Sequence, residues 1–132
     1  MARAKKTVVT YRDLDAWQRG MYLVEAFYRL TSLLPSDERF GLCSQMQRAA
    51  VSIPANIAEG NVRLHRGDYL RHLSIARGSL AELETMVIAA GRLKLVTREQ
   101  ATPVWKLAES TGQLLNKLMT SLSKSAPPAS SS

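Results

Sequence analysis

From Phe40 to Gly60 the chain reads FGLCSQMQRAAVSIPANIAEG, and at about 3.6 residues per turn this segment sorts into two unlike faces. Gln45, Arg48, Ser52, Asn56 and Glu59, spaced 3, 4, 4 and 3, fall on one narrow polar stripe. Leu42, Cys43, Met46, Ala49, Ala50, Ile53 and Ile57 fill the opposite side, and Val51, Ala55 and Ala58 make much of the remaining surface apolar. So wide an apolar arc exceeds what one packing partner covers, which predicts a helix buried in a bundle and pressed against a further partner or subunit. Arg48 and Glu59 are costly to bury alone, so the stripe is expected to meet polar partners on a neighbouring helix.

The recurrence at three and four continues along the chain and predicts four helices and no strands. The first spans about Asp13 to Leu33, with Leu14, Trp17, Met21, Val24 and Tyr28 on a heptad-like seam and Leu23, Phe27, Leu30 and Leu34 beside it, and Pro35 with Ser36 ends it. The second begins near Asp37, where Ser36 is placed to cap and Asp37 and Glu38 suit the positive end of the helix dipole; Gly60 is its natural C′ residue. Pro54 removes the bond to the carbonyl of Ala50, yet the apolar spacing runs on from Ile53 to Ile57, so one kinked helix is expected and not two.

The third helix, about Arg66 to Leu93, has the most regular seam: Tyr69, Leu73, Ala76, Leu80, Leu83, Val87 and Ala90. Leu64 and His65 followed by Gly67 leave its entrance weakly capped, and Gly91 loosens its end. The fourth starts at Thr97, which with Gln100 makes a capping box, and continues through Val104, Ala108, Thr111, Leu115, Leu118 and Leu122. Short connections after the first and third helices imply antiparallel neighbours. The expected architecture is all-α: an up-down-up-down antiparallel four-helix bundle over residues 13–122, with a basic flexible arm at 1–12 and a disordered Ser/Pro/Ala tail at 123–132.

Composition adds charge to this picture. The 132 residues suit one domain and carry 18 Lys and Arg against 11 Asp and Glu, a formal net charge of +7. Arg3, Lys5, Lys6 and Arg12 precede every acidic residue, and Arg63, Arg66, Arg71 and Arg77 meet only Asp68 between Arg63 and Ser79. Arginine suits bidentate phosphate contacts, so these eight are the candidate nucleic-acid contacts, against the plainer reading of a solvated basic face. Cys43 is the only cysteine and lies on an apolar face, as a small core residue does, and a lone thiol fits a reducing cytoplasm. The longest apolar run, Met86 to Ala90, is too short to span a bilayer, so a cytoplasmic protein without membrane partners is expected.

Candidate chemistry is sparse. No Glu is followed three residues later by His, which argues against the di-metal carboxylate bundles, and no phosphate-binding glycine loop, nucleophile elbow or H-E-x-x-H occurs. His65, Asp68 and His72, spaced 3 and 4, are the one constellation resembling metal ligands, but two histidines two turns apart reach one ion only if the helix bends, so a structural role is expected. Asp37 and Glu38 are explained by the dipole, and Glu82 and Glu84 point about 200° apart. No enzyme, cofactor or metal is indicated. Arg71, Ser74, Gly78, Glu82 and Thr85 form a second polar or small stripe. The two stripes satisfy each other through Arg48–Glu82 and Arg71–Glu59 pairs with Gly78 admitting a close approach, or both face water. Trp17 and Trp105 sit at core spacing without flanking basic residues and read as packing anchors.

The blocks Asp13-Leu14-x-x-Trp17-Gln18, Pro35-x-x-Glu38-Arg39-Phe40-x-Leu42, Gln45, Arg48-Ala49-Ala50-x-Ser52-Ile53-Pro54-x-Asn56-Ile57-Ala58-Glu59-Gly60 and Leu73-x-x-Ala76-Arg77-Gly78-Ser79-Leu80-x-Glu82-Leu83-Glu84 resemble one family. It is that of the bacterial four-helix-bundle proteins first noted as reading frames in intervening sequences of large-subunit ribosomal RNA genes. The resemblance runs from about Tyr11 to Arg98. Relatives of the fold include the accessory protein of diversity-generating retroelements, which works beside a reverse transcriptase. The resemblance implies a homopentameric ring of bundles with a basic surface for RNA or DNA; the stripe spacing, separately, makes Gln45, Arg48, Asn56, Glu59 and Glu82 the expected polar network within or between bundles. The expected function is a non-catalytic, oligomeric nucleic-acid-binding module, an accessory to an enzyme such as a reverse transcriptase. The alternative is an oligomeric scaffold for a protein partner, its charge serving solubility.

Overall fold

The structure, a computed structural model, describes residues 7–124. Four helices account for most of them: α1 (Asp15–Thr31), α2 (Ser44–Asn61), α3 (Arg66–Arg92) and α4 (Arg98–Lys124), with no strand among the described residues. Each helix packs on its chain neighbours, and α4 closes the ring against α1. Residue pairs show that every neighbouring pair is antiparallel. Gly20 faces Pro54 while Thr31 meets Gln47; Ser52 meets Ser79 while Asn56 meets His72; Leu80 faces Gly112 while Arg77 reaches Asn116. Arg19 reaches Ser110, and further along α1 Leu30 lines a groove with Pro103.

The third and fourth seams supply core residues over most of their length, as their spacing predicts, with Tyr69, Leu118 and Leu122 at their outer ends only partly buried. Leu73, Ala76, Leu80, Leu83, Val87 and Ala90 are buried on α3, and Val104, Ala108, Thr111 and Leu115 on α4. From α2 come Met46, Ala49, Ala50, Ile53 and Ile57, with Cys43 just before it. On α1 the expected order of the two seams is reversed. Leu23, Phe27, Leu30 and Leu34 are buried, whereas Met21 and Tyr28 are exposed and Leu14, Trp17 and Val24 only partly covered. The small residues Ala16 and Gly20 are buried on the side of Leu23 and Phe27, Gly20 against Pro54 of α2.

The ends of the helices show what is local. Thr97 N–H donates to Gln100 Oε1 (2.9 Å) and Gln100 N–H to Thr97 Oγ1 (3.1 Å), the expected capping box. His65 opens α3 without a side-chain cap bond, the weak entrance that Leu64, His65 and Gly67 foretold. A helix beginning at Asp37 does not form. A short 3₁₀ turn (Ser36–Glu38) and a π turn (Arg39–Cys43) precede α2, the break falling at Gly41, whose dihedrals (φ −104°, ψ −106°) leave the helical region. Glycine lowers the cost of such a break, and Ser36 lies within the turn and caps nothing.

α2 itself is continuous through Pro54, whose ring packs beside Gly20. Gly60 is not the C′ residue: it lies inside α2, and Val62 is the cap. A Cβ there would stand 2.9 Å from both His72 Cβ and Tyr69 Cδ1, so the glycine serves the crossing of α2 and α3. At Gly78 the reverse holds, since nothing lies within 4 Å of a Cβ built there. The expected close approach at that position is absent from the chain. α3 leaves its last turn through Lys94, at φ 60°, with Leu95 N–H bonded to the carbonyl of Ala90 at 2.9 Å.

Candidate nucleic-acid interface

Antiparallel packing sorts the charges along the bundle. One end gathers the start of α1, the end of α2, the start of α3 and the end of α4. If each helix is cut near its midpoint, at Leu23, Ser52, Ser79 and Thr111, this end carries eight Lys and Arg against four Asp and Glu, and the other end seven of each. The far end is therefore neutral. The excess of four at the basic end, with Arg3, Lys5 and Lys6 of the arm, makes up the whole +7. Those three lie outside the described residues.

Of the sequence-predicted contacts, Arg12, Arg63, Arg66, Arg71 and Arg77 all fall at this end, though not equally free. Arg12 stacks its guanidinium 5.7 Å from the Tyr11 ring centroid, and Tyr11 meets Trp17 edge-on at 5.6 Å, so the turn before α1 is fixed to the bundle. Arg63 is paired with Glu59 one turn back on α2, which spends its charge locally. Arg71 is exposed and Arg66 half-buried. Arg77 donates to Asn116 Oδ1 on α4 at 2.9 Å. Three cations that the sequence pattern did not single out join them: Arg19, Lys117 and Lys124 line one open groove of about 1070 Å³ beside α4. They are isolated in the chain, and only the absence of any acidic residue after Glu109 hints at them.

The polar stripe of α2 divides in two. Its centre is drawn into the contact with α3: Ser52 Oγ lies 2.9 Å from Ser79 Oγ, and Asn56 Nδ2 donates to the Ser52 carbonyl (2.8 Å) and to Ser52 Oγ (3.0 Å). Those two bonds fix the amide, so Asn56 Oδ1 faces His72 Nδ1 at 3.0 Å and that nitrogen carries the proton. Buried His72 then turns Nε2 towards Glu59 Oε2, 4.0 Å away, with no hydrogen-bond partner of its own. Nearby, Tyr69 accepts from Asn61 at 3.2 Å, and burial pushes its phenol pKa up against that bond. The serine hydroxyl and the imidazole are separated by the asparagine, so this set ties helices together; a nucleophile needs its base within direct hydrogen-bond reach.

The outer members of the stripe remain at the surface. Gln45, Arg48, Glu59 and Glu82 are exposed, and neither an Arg48–Glu82 nor an Arg71–Glu59 ion pair forms among the described residues. The second stripe, Arg71, Ser74, Gly78, Glu82 and Thr85, thus faces solvent, and the centre of the α2 stripe is met instead by His72 and Ser79 of α3, neutral groups that bury at less cost than the charges proposed from spacing. His65, Asp68 and His72 are likewise kept apart, His65 being exposed and His72 turned inward to Asn56. No cluster of three potential metal ligands occurs among the described residues. Cys43 packs against the Thr31 carbonyl (3.5 Å), and burial together with the nearby Glu38 carboxylate raises its thiol pKa.

An apolar surface also stays open: Val51 and Ala55 on α2, and Met21 and Tyr28 on the flank of α1 nearest α2, are exposed. No helix is long and apolar enough to cross a membrane among the described residues.

Comparison with known proteins agrees with the fold. A family model described as 23S rRNA-intervening sequence protein matches residues 12–117. The chain is similar to a solved protein of unknown function from the S23 ribosomal protein family of Bacteroides thetaiotaomicron, with a TM-score of 0.74 and 24% identity over 80% of this chain and 95% of that one. No curated protein matches.

Proposed function

The chain belongs to the 23S rRNA-intervening sequence protein family, and from that premise we propose that it is a non-catalytic, oligomeric module that holds nucleic acid electrostatically at one end of its bundle. The observation that carries this reading is that, among the described residues, the whole excess of four positive charges gathers at the end where α1 and α3 begin, beside an electrically neutral far end. A charge so placed steers a polyanion to one surface, where a dispersed charge of the same size serves solubility alone. RNA and DNA are both suitable ligands, since phosphates supply the attraction. Service as an accessory subunit to a reverse transcriptase fits such a module, which presents a template and leaves chemistry to its partner.

The test is titration of labelled RNA and DNA at two salt concentrations with wild type and Arg66→Ala/Arg71→Ala. Each lost phosphate contact lowers the slope of log K against log salt by about 0.7 to 0.9, with sequence preference unchanged. Equal slopes for the two proteins remove these residues from the interface. The exposed apolar patch of Val51, Ala55, Met21 and Tyr28 supports self-association, for which the family resemblance suggests five copies, and equally supports a second reading, a scaffold for a protein partner. Absence of any nucleic-acid binding by wild type favours that second reading.

A further inference from the structure

Two arginines from different helices lean onto α4 and are held there by its polar side chains. Arg19 of α1 donates to Ser110 Oγ at 3.3 Å, and Arg77 of α3 donates to Asn116 Oδ1 at 2.9 Å. Each guanidinium has five N–H donors and spends one in the tether, so the rest remain for a ligand, already oriented and with part of their side-chain entropy surrendered on folding. Between them runs the outer side of α4 from Gln113 to Lys124, where Gln113, Asn116, Lys117, Thr120 and Lys124 are exposed. No acidic residue follows Glu109. Two open grooves border this strip, one on the α1 side and one on the α3 side, sharing Asn116, Thr120 and Lys124.

We propose that the C-terminal half of α4, flanked by the tethered Arg19 and Arg77, is a phosphate track for double-stranded nucleic acid. The inference rests on the nucleic-acid reading above and deepens it by naming the surface and the form of the ligand. Among the described residues neither groove is lined by an aromatic ring. Single strands are held largely by stacking bases on aromatic side chains, a means this surface lacks, whereas a duplex offers one negative charge per about 1.7 Å of its axis to cations alone. A bilayer is excluded as the occupant because Val104, Ala108, Thr111 and Leu115, the apolar side of α4, are committed to the core. Hydroxyl and amide groups between the cations donate to phosphate oxygens regardless of base, so the track reads backbone and not sequence.

The experiment is fluorescence anisotropy with a labelled duplex of about two helical turns and its isolated strand, at two salt concentrations. It uses the full chain as wild type, as Lys117→Gln/Lys124→Gln, and as Arg98→Gln/Lys106→Gln, which alters the other half of α4. All four positions are exposed, so folding is preserved. The expected result is tighter binding of duplex than of single strand by wild type, a salt slope lowered by about 1.8 in the Lys117/Lys124 variant, and an unchanged slope in the control. A wild type that binds duplex with the same slope as the Lys117/Lys124 variant overturns the α4 track and leaves the basic-end reading standing. Preference for the single strand overturns the duplex assignment. A wild type that binds neither, yet is retained on polyglutamate, overturns this inference and the reading beneath it in favour of an acidic protein.

Discussion

Alanine at Gly60 and alanine at Gly78 are the same chemical change with opposite expected signs. Both glycines lie inside helices, so both gain about 0.5 to 1 kcal/mol from the better helix propensity of alanine. At Gly78 nothing lies within 4 Å of the added methyl, and the gain stands alone. At Gly60 the methyl would be built 2.9 Å from His72 Cβ and 2.9 Å from Tyr69 Cδ1, with the Tyr69 carbonyl at 3.2 Å. His72 Cβ is next to the backbone and the Tyr69 ring is half-buried, so relief requires α2 and α3 to separate, an overpacking cost of about 1 to 3 kcal/mol. Separation also stretches the 3.0 Å bond from His72 to Asn56. The net expectation for Gly60→Ala is destabilisation of up to about 2.5 kcal/mol, and for Gly78→Ala stabilisation of about 0.5 to 1 kcal/mol. For a chain of this length 1 kcal/mol moves Tm by roughly 4 °C. Thermal and urea unfolding followed by helical circular dichroism, at one fixed protein concentration, reads both variants on one scale. A Tm for Gly60→Ala at or above wild type refutes the close crossing of α2 and α3.

Asn56→Ala leaves His72 Nδ1 without its acceptor and takes both donated bonds from Ser52, so a loss of about 1 to 3 kcal/mol is expected in urea unfolding, and wild-type stability in that variant contradicts the buried network. Cys43 is shielded and its thiol pKa raised, so at mildly alkaline pH less thiolate is present than in the unfolded chain; alkylation by iodoacetamide should be much slower in native than in denaturing buffer, and equal rates would show an open site. Arg48→Ala should change unfolding free energy by about 0.5 kcal/mol or less, as expected of an exposed side chain without an ion pair among the described residues, and a large loss would reveal a partner. Light scattering should give a mass above one subunit, and Val51→Glu, which charges the exposed apolar patch, should lower it; a wild type of single-subunit mass rules out self-association through that patch.

What the sequence determined here are properties of one segment at a time. The Tyr69–Ala90 seam, the Thr97–Gln100 capping box and the unpaired entrance at His65 depend on helical spacing and on side chains within a turn of their own backbone, so they were legible without a partner. Four helices with short links between antiparallel neighbours followed from the same local signals. The tertiary structure decided whatever depends on the distance between two segments. Periodicity put Ser52 and Arg48 on one stripe, but only the crossing with α3 partly covers Ser52 and Asn56 and leaves Arg48 outside. Gly60 looked like a helix stop because glycine often ends helices, and its true constraint is the nearness of His72 and Tyr69. Arg19, Arg77 and Lys117 are far apart in the chain and have no common motif; they come to the same end of the bundle, on either side of α4, because antiparallel packing returns the end of α4 to the start of α1 and α3. Helical spacing is a local angular preference that each residue states for itself, whereas proximity between helices is set by the packing of the whole core, to which every buried side chain contributes and no single stretch of sequence gives expression.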